Sequence, residues 1–164
     1  MTKLMPCLWF DDRIDEAIEF YTTTFKDSKV VNLVRNSPDS AAFTAVIELA
    51  GQQIFLLNGG PRFPFTEAVS IMIECDGQAE VDHYWNTFVD NGGQESMCGW
   101  CKDRFGFSWQ VVPKQMYDTV LGPDKAGAGR AMQAMMSMHK LIIADLEKAY
   151  AGADSKLANR WKRG

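Results

Sequence analysis

The stretch Gly99-Trp100-Cys101-Lys102-Asp103-Arg104-Phe105-Gly106-Phe107-Ser108-Trp109-Gln110-Val111-Val112-Pro113 decides how the chain is read. Gly99 to Asp103 has strand composition, Arg104-Phe105-Gly106 has turn composition, and Phe107 to Val112 is a second strand closed by Pro113. Working backwards, Gln94 to Met97 is another short strand. Ala79 to Asn91 places Val81, Tyr84, Trp85, Phe88 and Val89 on one helix face, and Gly92-Gly93 stops that helix. Val69 to Cys75 is an apolar strand ahead of it. The order is strand, helix, three strands.

The first half runs in the same order. Leu4 to Phe10 is a short apolar strand in which Pro6 marks an edge position or an interruption. Asp12 is placed to cap a helix over Arg13 to Phe25, whose inner face is Ile14, Ala17, Ile18, Tyr21 and Phe25. Lys29 to Val34 and Phe43 to Ala50 are strands. Gly51-Gln52 turns the chain so that Gln53 to Asn58 returns antiparallel. Arg62-Phe63-Pro64-Phe65, stiffened by two prolines, links the halves. The repeat is one of element order, since the halves share little identity. The expected architecture is α+β: one βαβββ module over about 3–60, a second over about 68–113, and a helical extension over about 114–152. In that extension Gln115 to Leu121 is read as a short helix. Gly127 to Ala151 is read as mostly helical, with a break near Lys140 to Ile143 and Asp145 as a cap.

Composition bounds the function. A formal net charge of -4 argues against a phosphate-binding surface, so no nucleic acid is expected as partner. The one basic cluster, Lys156, Arg160, Lys162 and Arg163, reads as a solvated tail. No apolar run approaches the ~20 residues of a membrane span, and no secretory signal is visible. No membrane partner is expected, and the protein is read as cytoplasmic with its four cysteines reduced.

The element order, Gly51-Gln52-Gln53 in the hairpin, Asn58-Gly59-Gly60-Pro61 after it, Glu16-Ala17-Ile18-Glu19-Phe20-Tyr21 and the Gly99–Pro113 stretch together resemble the vicinal oxygen chelate superfamily. That superfamily includes glyoxalase I, bleomycin-resistance proteins and extradiol dioxygenases, and the likeness is closer to its PhnB-like branch. The resemblance covers about residues 3–150. It implies two βαβββ modules whose curved sheets enclose a cleft, and a homodimer. In metal-using members the first and last strands of each module carry the ligands, which corresponds to Pro6, Leu56, Ser70 and Gln110 here. None is an imidazole or carboxylate, and of the strand neighbours only Cys7 is a plausible donor. No metal and no cofactor are therefore expected.

Side chains two apart on a strand share a face. Leu4, Leu8, Phe10, Ile54, Asn58, Met72, Ser108 and Gln110 are then expected in the cleft beside Ser70, with Trp100, Trp109 and Phe107 available to stack on a planar ligand. The ligand-binding set is Leu8, Asn58, Ser70, Met72, Trp100, Ser108 and Gln110. Two alternatives stay open: a pocket, or side chains that fill the gap between the sheets.

Other constellations carry less. Cys98-Gly99-Trp100-Cys101 has thioredoxin-like spacing but precedes a strand, not a helix. Cys7 and Cys75 read as packing residues, His83 as an exposed residue of the second helix, and His139 as a residue at the end of the Met-rich helix. Glu74 shares the face of Ser70 and Met72 and is the nearest candidate base, and Glu48 is a second. Met132, Met135, Met136 and Met138 form an adaptable apolar stripe. Gly127-Ala128-Gly129-Arg130 lacks the strand and third glycine of a nucleotide loop, so the ubiquinone methyltransferase label of PhnB-like proteins is not carried over. The leading expectation is a metal-independent small-molecule-binding protein. The alternatives are a glyoxalase- or dioxygenase-type enzyme with a relocated site, and a dimeric protein with a filled cleft.

Overall fold

Alternating apolar residues with one amphipathic helix build each half. The structure, a computed structural model, describes residues 2–152. The basic cluster Lys156, Arg160, Lys162 and Arg163 lies outside them. The chain divides into two compact units between Thr66 and Glu67.

The first unit contains β1 (Cys7–Phe10), α1 (Ile14–Thr24), β2 (Ser28–Arg35), β3 (Ala42–Leu49) and β4 (Gln52–Asn58). Its sheet has the order β1-β4-β3-β2, with β1 parallel to β4 and the other pairs antiparallel. Burial alternates along the strands. Leu8, Phe10, Ala45, Ile47, Leu49, Ile54 and Leu56 are buried, as are Ile14, Ala17 and Tyr21 of α1, the helix that packs on this sheet. Each large apolar side chain removed from water here contributes about 1.5–3 kcal/mol. β1 is an edge strand, one of the two alternatives Pro6 left open, and Pro6 itself lies just before it, its carbonyl accepting the Phe55 N–H at 2.9 Å.

The β3–β4 turn is Ala50-Gly51, one residue earlier than the sequence implied. Both residues have positive φ, 46° and 83°, the pair of left-handed conformations whose twist suits a two-residue hairpin. The start of α1 also differs from expectation. Asp12 does not cap it. Instead the Asn58 side-chain oxygen, arriving from the end of β4, accepts the Ile14 N–H at 3.1 Å, while Asn58 Nδ2 donates to the Ala42 carbonyl at 2.8 Å. Asp15 accepts the Ala42 N–H and pairs with Arg35, whose hydrogen bond holds the carboxyl below its usual range.

The second unit contains β5 (Ser70–Cys75), α2 (Gln78–Asp90), β6 (Gln94–Glu95), β7 (Trp100–Lys102) and β8 (Ser108–Pro113), followed by a 3-10 turn at Lys114–Met116, α3 (Lys125–Met136) and α4 (Ile143–Ala151). Its sheet has the order β5-β8-β7-β6, with β5 parallel to β8. Val81, Trp85 and Phe88 of α2 are buried, as are Cys75, Cys101, Trp109 and Val111 of the sheet. Phe88 stacks on Trp109 with ring centroids 4.9 Å apart. The short helix expected over Gln115 to Leu121 is only the 3-10 turn.

The extension has its own apolar cluster of Val120, Ala131 and Leu146, with Met116, Met135, Met138 and Tyr150 packed on it. Two of the four methionines of the stripe, Met135 and Met138, are thus packing residues, while Met132 and Met136 are exposed. α4 is not capped by Asp145. Gln78 of α2 does that work: its Oε1 accepts the Ile143 N–H at 2.9 Å and its Nε2 donates to the Leu141 carbonyl at 3.1 Å. Among the described residues no helix is long and apolar enough to cross a membrane.

Candidate functional site

Register builds the site. In the second sheet Ser70 lies beside Ser108, Met72 beside Gln110 and Glu74 beside Val112. Trp100 lies opposite Gln110, and Lys102 opposite Ser108. Side chains in such rows share a face. The face turned away from α2 therefore carries Ser70, Met72, Glu74, Trp100, Lys102, Ser108 and Gln110. Five of the seven expected ligand-binding residues meet there. Gln110 Nε2 donates to Ser70 Oγ at 2.9 Å, which fixes the amide's orientation.

A groove of about 470 Å³ opens at the β6–β7 side of this face. Trp100, Lys102 and Ser108 line it from the strands, Met97 and Cys98 from the β6–β7 connection, and Glu67 and Glu95 from its edge. Glu67 pairs with Lys102, and that hydrogen bond holds the Glu67 carboxyl below its usual range. Ser108 is only 1 % exposed, yet its Oγ has no hydrogen-bond partner among the described residues. Leaving a buried hydroxyl unpaired costs about 1–3 kcal/mol, so this group asks for a partner.

The extension shapes the groove wall. The Cys98 and Gly99 N–H groups donate to the carbonyls of Met138 and His139 at 2.7 and 2.8 Å, and His139 Nδ1 lies 3.0 Å from the Ser96 carbonyl oxygen. Cys98 and Gly99 have φ of 59° and 82°, a backbone turn that brings these amides outward to be held.

The same stretch explains its own sequence. Asp103, buried at the end of β7, accepts the Phe105 N–H at 2.9 Å, the Phe107 N–H at 3.1 Å and the Trp109 Nε1–H at 2.8 Å. The Lys-Asp-Arg-Phe-Gly-Phe-Ser-Trp run is thus a hairpin lock. Trp109 and Phe107, expected as stacking platforms, are buried in the helix-side core, with their rings 5.4 Å apart edge to face.

Leu8 and Asn58 do not join the site. Leu8 is buried opposite Leu56 on the face that α1 covers, together with Phe10 and Ile54, and Asn58 spends its amide on Ile14 and Ala42. The alternation in the first unit is inverted relative to expectation. Its other face carries Cys7, Trp9, Phe55 and Leu57. Leu4 precedes β1 and is exposed. Lys102 and Glu67 were missed. Lys102 was open to the two-residue rule, being two along from Trp100. Glu67 and the Met138 and His139 carbonyls that hold the wall come from distant positions and leave no local signal.

The remaining candidates separate. Cys98 and Cys101 are free, and burial, with Asp103 adding to it, pushes the Cys101 thiol up to about 12. Cys75 is buried and raised likewise, but Cys7 is exposed rather than packed. His83 and His139 are exposed. Glu74 is exposed and hydrogen-bonds Tyr117, raising that phenol above its usual value. Glu48 is held below its usual range by Lys29, with Gln53 assisting. Among the described residues no group of three or more His, Cys, Asp or Glu side chains could hold a metal ion. Ser70 and Gln110 bond each other, and Cys7 lies beside Phe55. This donor set does not fit a divalent cation.

Two four-stranded mixed sheets, each with one crossover helix, define a glyoxalase/bleomycin-resistance-like fold of the vicinal oxygen chelate superfamily. The chain belongs to the PhnB-like family described as 3-demethylubiquinone-9 3-methyltransferase, whose model matches residues 2–112. The match ends before the extension, short of the 3–150 that the sequence resemblance covered. Among solved structures, the PhnB protein of Bacillus cereus, described by the same activity, is 27% identical, covering 68% of this chain and 99% of that one with a TM-score of 0.62. Protein PA1353 of Pseudomonas aeruginosa is 21% identical, covering 69% and 98%, with a TM-score of 0.57. The fosfomycin resistance protein FosX of Listeria monocytogenes, solved with Mn(II) and sulfate, is 15% identical, covering 67% and 89%, with a TM-score of 0.50. The last two share the fold alone. No curated protein matches.

The family description implies a methyl-donor cofactor. The glycine-rich run that most resembles a nucleotide loop, Gly127-Ala128-Gly129, lies inside α3. The first-turn amides of that helix, on Ala126 and Gly127, are already taken by the Asp124 carboxylate. The residues there do not fit such a group, and no methyl-transfer step follows from them.

Proposed function

We propose that this chain is a metal-independent small-molecule-binding protein of the PhnB-like type, acting in the cytoplasm, with its ligand on the open face of the second sheet. The buried, unpartnered Ser108 hydroxyl in a groove beside Trp100 carries this reading. A core that merely filled space would have paired that hydroxyl or replaced it with an apolar side chain. Trp100 supplies a stacking surface, and Ser70 and Gln110 extend the polar strip.

Native mass spectrometry of protein purified without chelator tests the reading. The expected result is a bound small molecule, absent in Trp100→Leu, with no stoichiometric divalent ion. A stoichiometric ion lost on replacing Ser70 and Gln110 by Ala would overturn metal independence and favour the glyoxalase- or dioxygenase-type enzyme.

The homodimer implied by family resemblance belongs to the same reading. Edge strand β2 supports it, since Val30, Val31, Leu33 and Val34 are exposed on its two faces, an edge that unprotected proteins pair. Light scattering on Val31→Lys/Leu33→Lys is expected to give a monomer where the parent chain gives a dimer. A monomeric parent chain would end the dimer proposal.

A further inference from the structure

Within the groove, the polar groups differ in how they are held. Among the described residues Lys102 is the one cation of its lining, and its side chain is only 32 % exposed. Its carboxylate partner Glu67 is 64 % exposed and arrives from the connection before β5 rather than from the sheet. Glu95 is likewise solvated, with His139 Nδ1 3.8 Å from it. Ser108, directly opposite Lys102 across the β7–β8 pair, is buried and unpartnered. Two donors therefore stand side by side, with Cβ atoms about 4.5–5.5 Å apart. One is free, and the other is occupied by a carboxylate that water solvates well when released. Trp100 lies two residues along the same strand, about 6.6 Å away.

We propose that the groove takes a planar aromatic acid, with its ring on Trp100 and its carboxylate shared between the Lys102 ammonium and the Ser108 hydroxyl, and that Glu67 occupies the ammonium until this ligand displaces it. The proposal rests on the small-molecule reading above and names the ligand class. An ammonium and a hydroxyl on facing strands both donate to one carboxylate, whereas a cationic ligand would have to sit against Lys102. Met97 and Cys98 close the apolar side against the ring. Their connection is held by the carbonyls of Met138 and His139. Those two residues lie beyond the matched residues 2–112, so the extension braces a wall whose own residues, Met97 and Cys98, lie within the matched part.

Titration calorimetry with 2-naphthoate, its uncharged isostere 2-naphthamide and 2-naphthylmethylammonium tests it on the full chain. Naphthoate is expected to bind about fivefold to tenfold tighter than either analogue. Lys102→Met removes that preference and Ser108→Ala weakens the acid several-fold. Glu67→Gln tightens the acid about threefold or more, because the internal competitor is gone. The Glu67 result is the one a merely structural role for the pair would not give. Circular dichroism of each variant confirms that it is folded. If the amide or the ammonium binds as tightly as the acid, and Trp100→Leu abolishes that binding, the acid class is wrong while the small-molecule reading stands. An acid affinity unchanged in Lys102→Met also overturns the proposal. If none of the three probes binds, the aromatic-acid assignment fails, and the native mass spectrum alone decides the broader reading.

Discussion

Asp103→Ala is expected to lower the stability of the second unit by about 3–5 kcal/mol, read as a shift in the urea unfolding midpoint. The carboxylate accepts the Phe105 N–H, the Phe107 N–H and the Trp109 Nε1–H. Alanine leaves all three without an acceptor. Each buried orphan costs about 1–3 kcal/mol, and the half-exposed Phe105 amide recovers part of its share from water. Asp103→Asn is expected to lose less, since one oxygen still accepts, though its NH₂ then faces a donor. Equal midpoints for the Ala and Asn variants would contradict the account, because the oxygen that Asn retains would then contribute nothing.

Replacing Trp109 produces the second large effect. Trp109→Ala is expected to cost about 3–5 kcal/mol, the usual range for deleting a buried aromatic. It removes the stack on Phe88, the edge contact with Phe107 and one donor to Asp103. Trp109→Phe should keep most of the packing and lose chiefly the N–H bond. The two sites are in contact, so the Asp103→Ala/Trp109→Ala double variant should lose less than the sum of the singles. Additive losses in that cycle would show that the lock and the stack act independently. Trp109 faces α2 while Ser108 lines the groove. Ligand binding in folded Trp109→Phe should therefore stay close to that of the parent chain.

The first and second units differ in how legible their faces were. Ser70, Ser108 and Gln110 alternate with apolar Ile71, Trp109 and Val111, so polarity marks which side meets the helix. Leu8, Trp9, Phe10 and Ile54, Phe55, Leu56, Leu57 are apolar at both parities, and nothing local chooses between the two faces. A one-residue difference then moves every side chain across the sheet, which is why Leu8 and Asn58 were expected in the site and are found against α1. The caps were unreadable for a related reason. Asn58 serves a helix that begins 44 residues earlier, and Gln78 one that begins 65 residues later.

Apolar spacing and turn residues carried the repeated strand-helix-strand-strand-strand order, because it follows from short-range periodicity and backbone sterics. The groove did not follow from them. Its cation, the carboxylate paired with it, its unpaired hydroxyl and its pinned wall come from residues 67, 95–102, 108 and 138–139. Chain distance carries no signal of which of these meet. Register across the sheet and the hydrogen bonds from the extension bring them together.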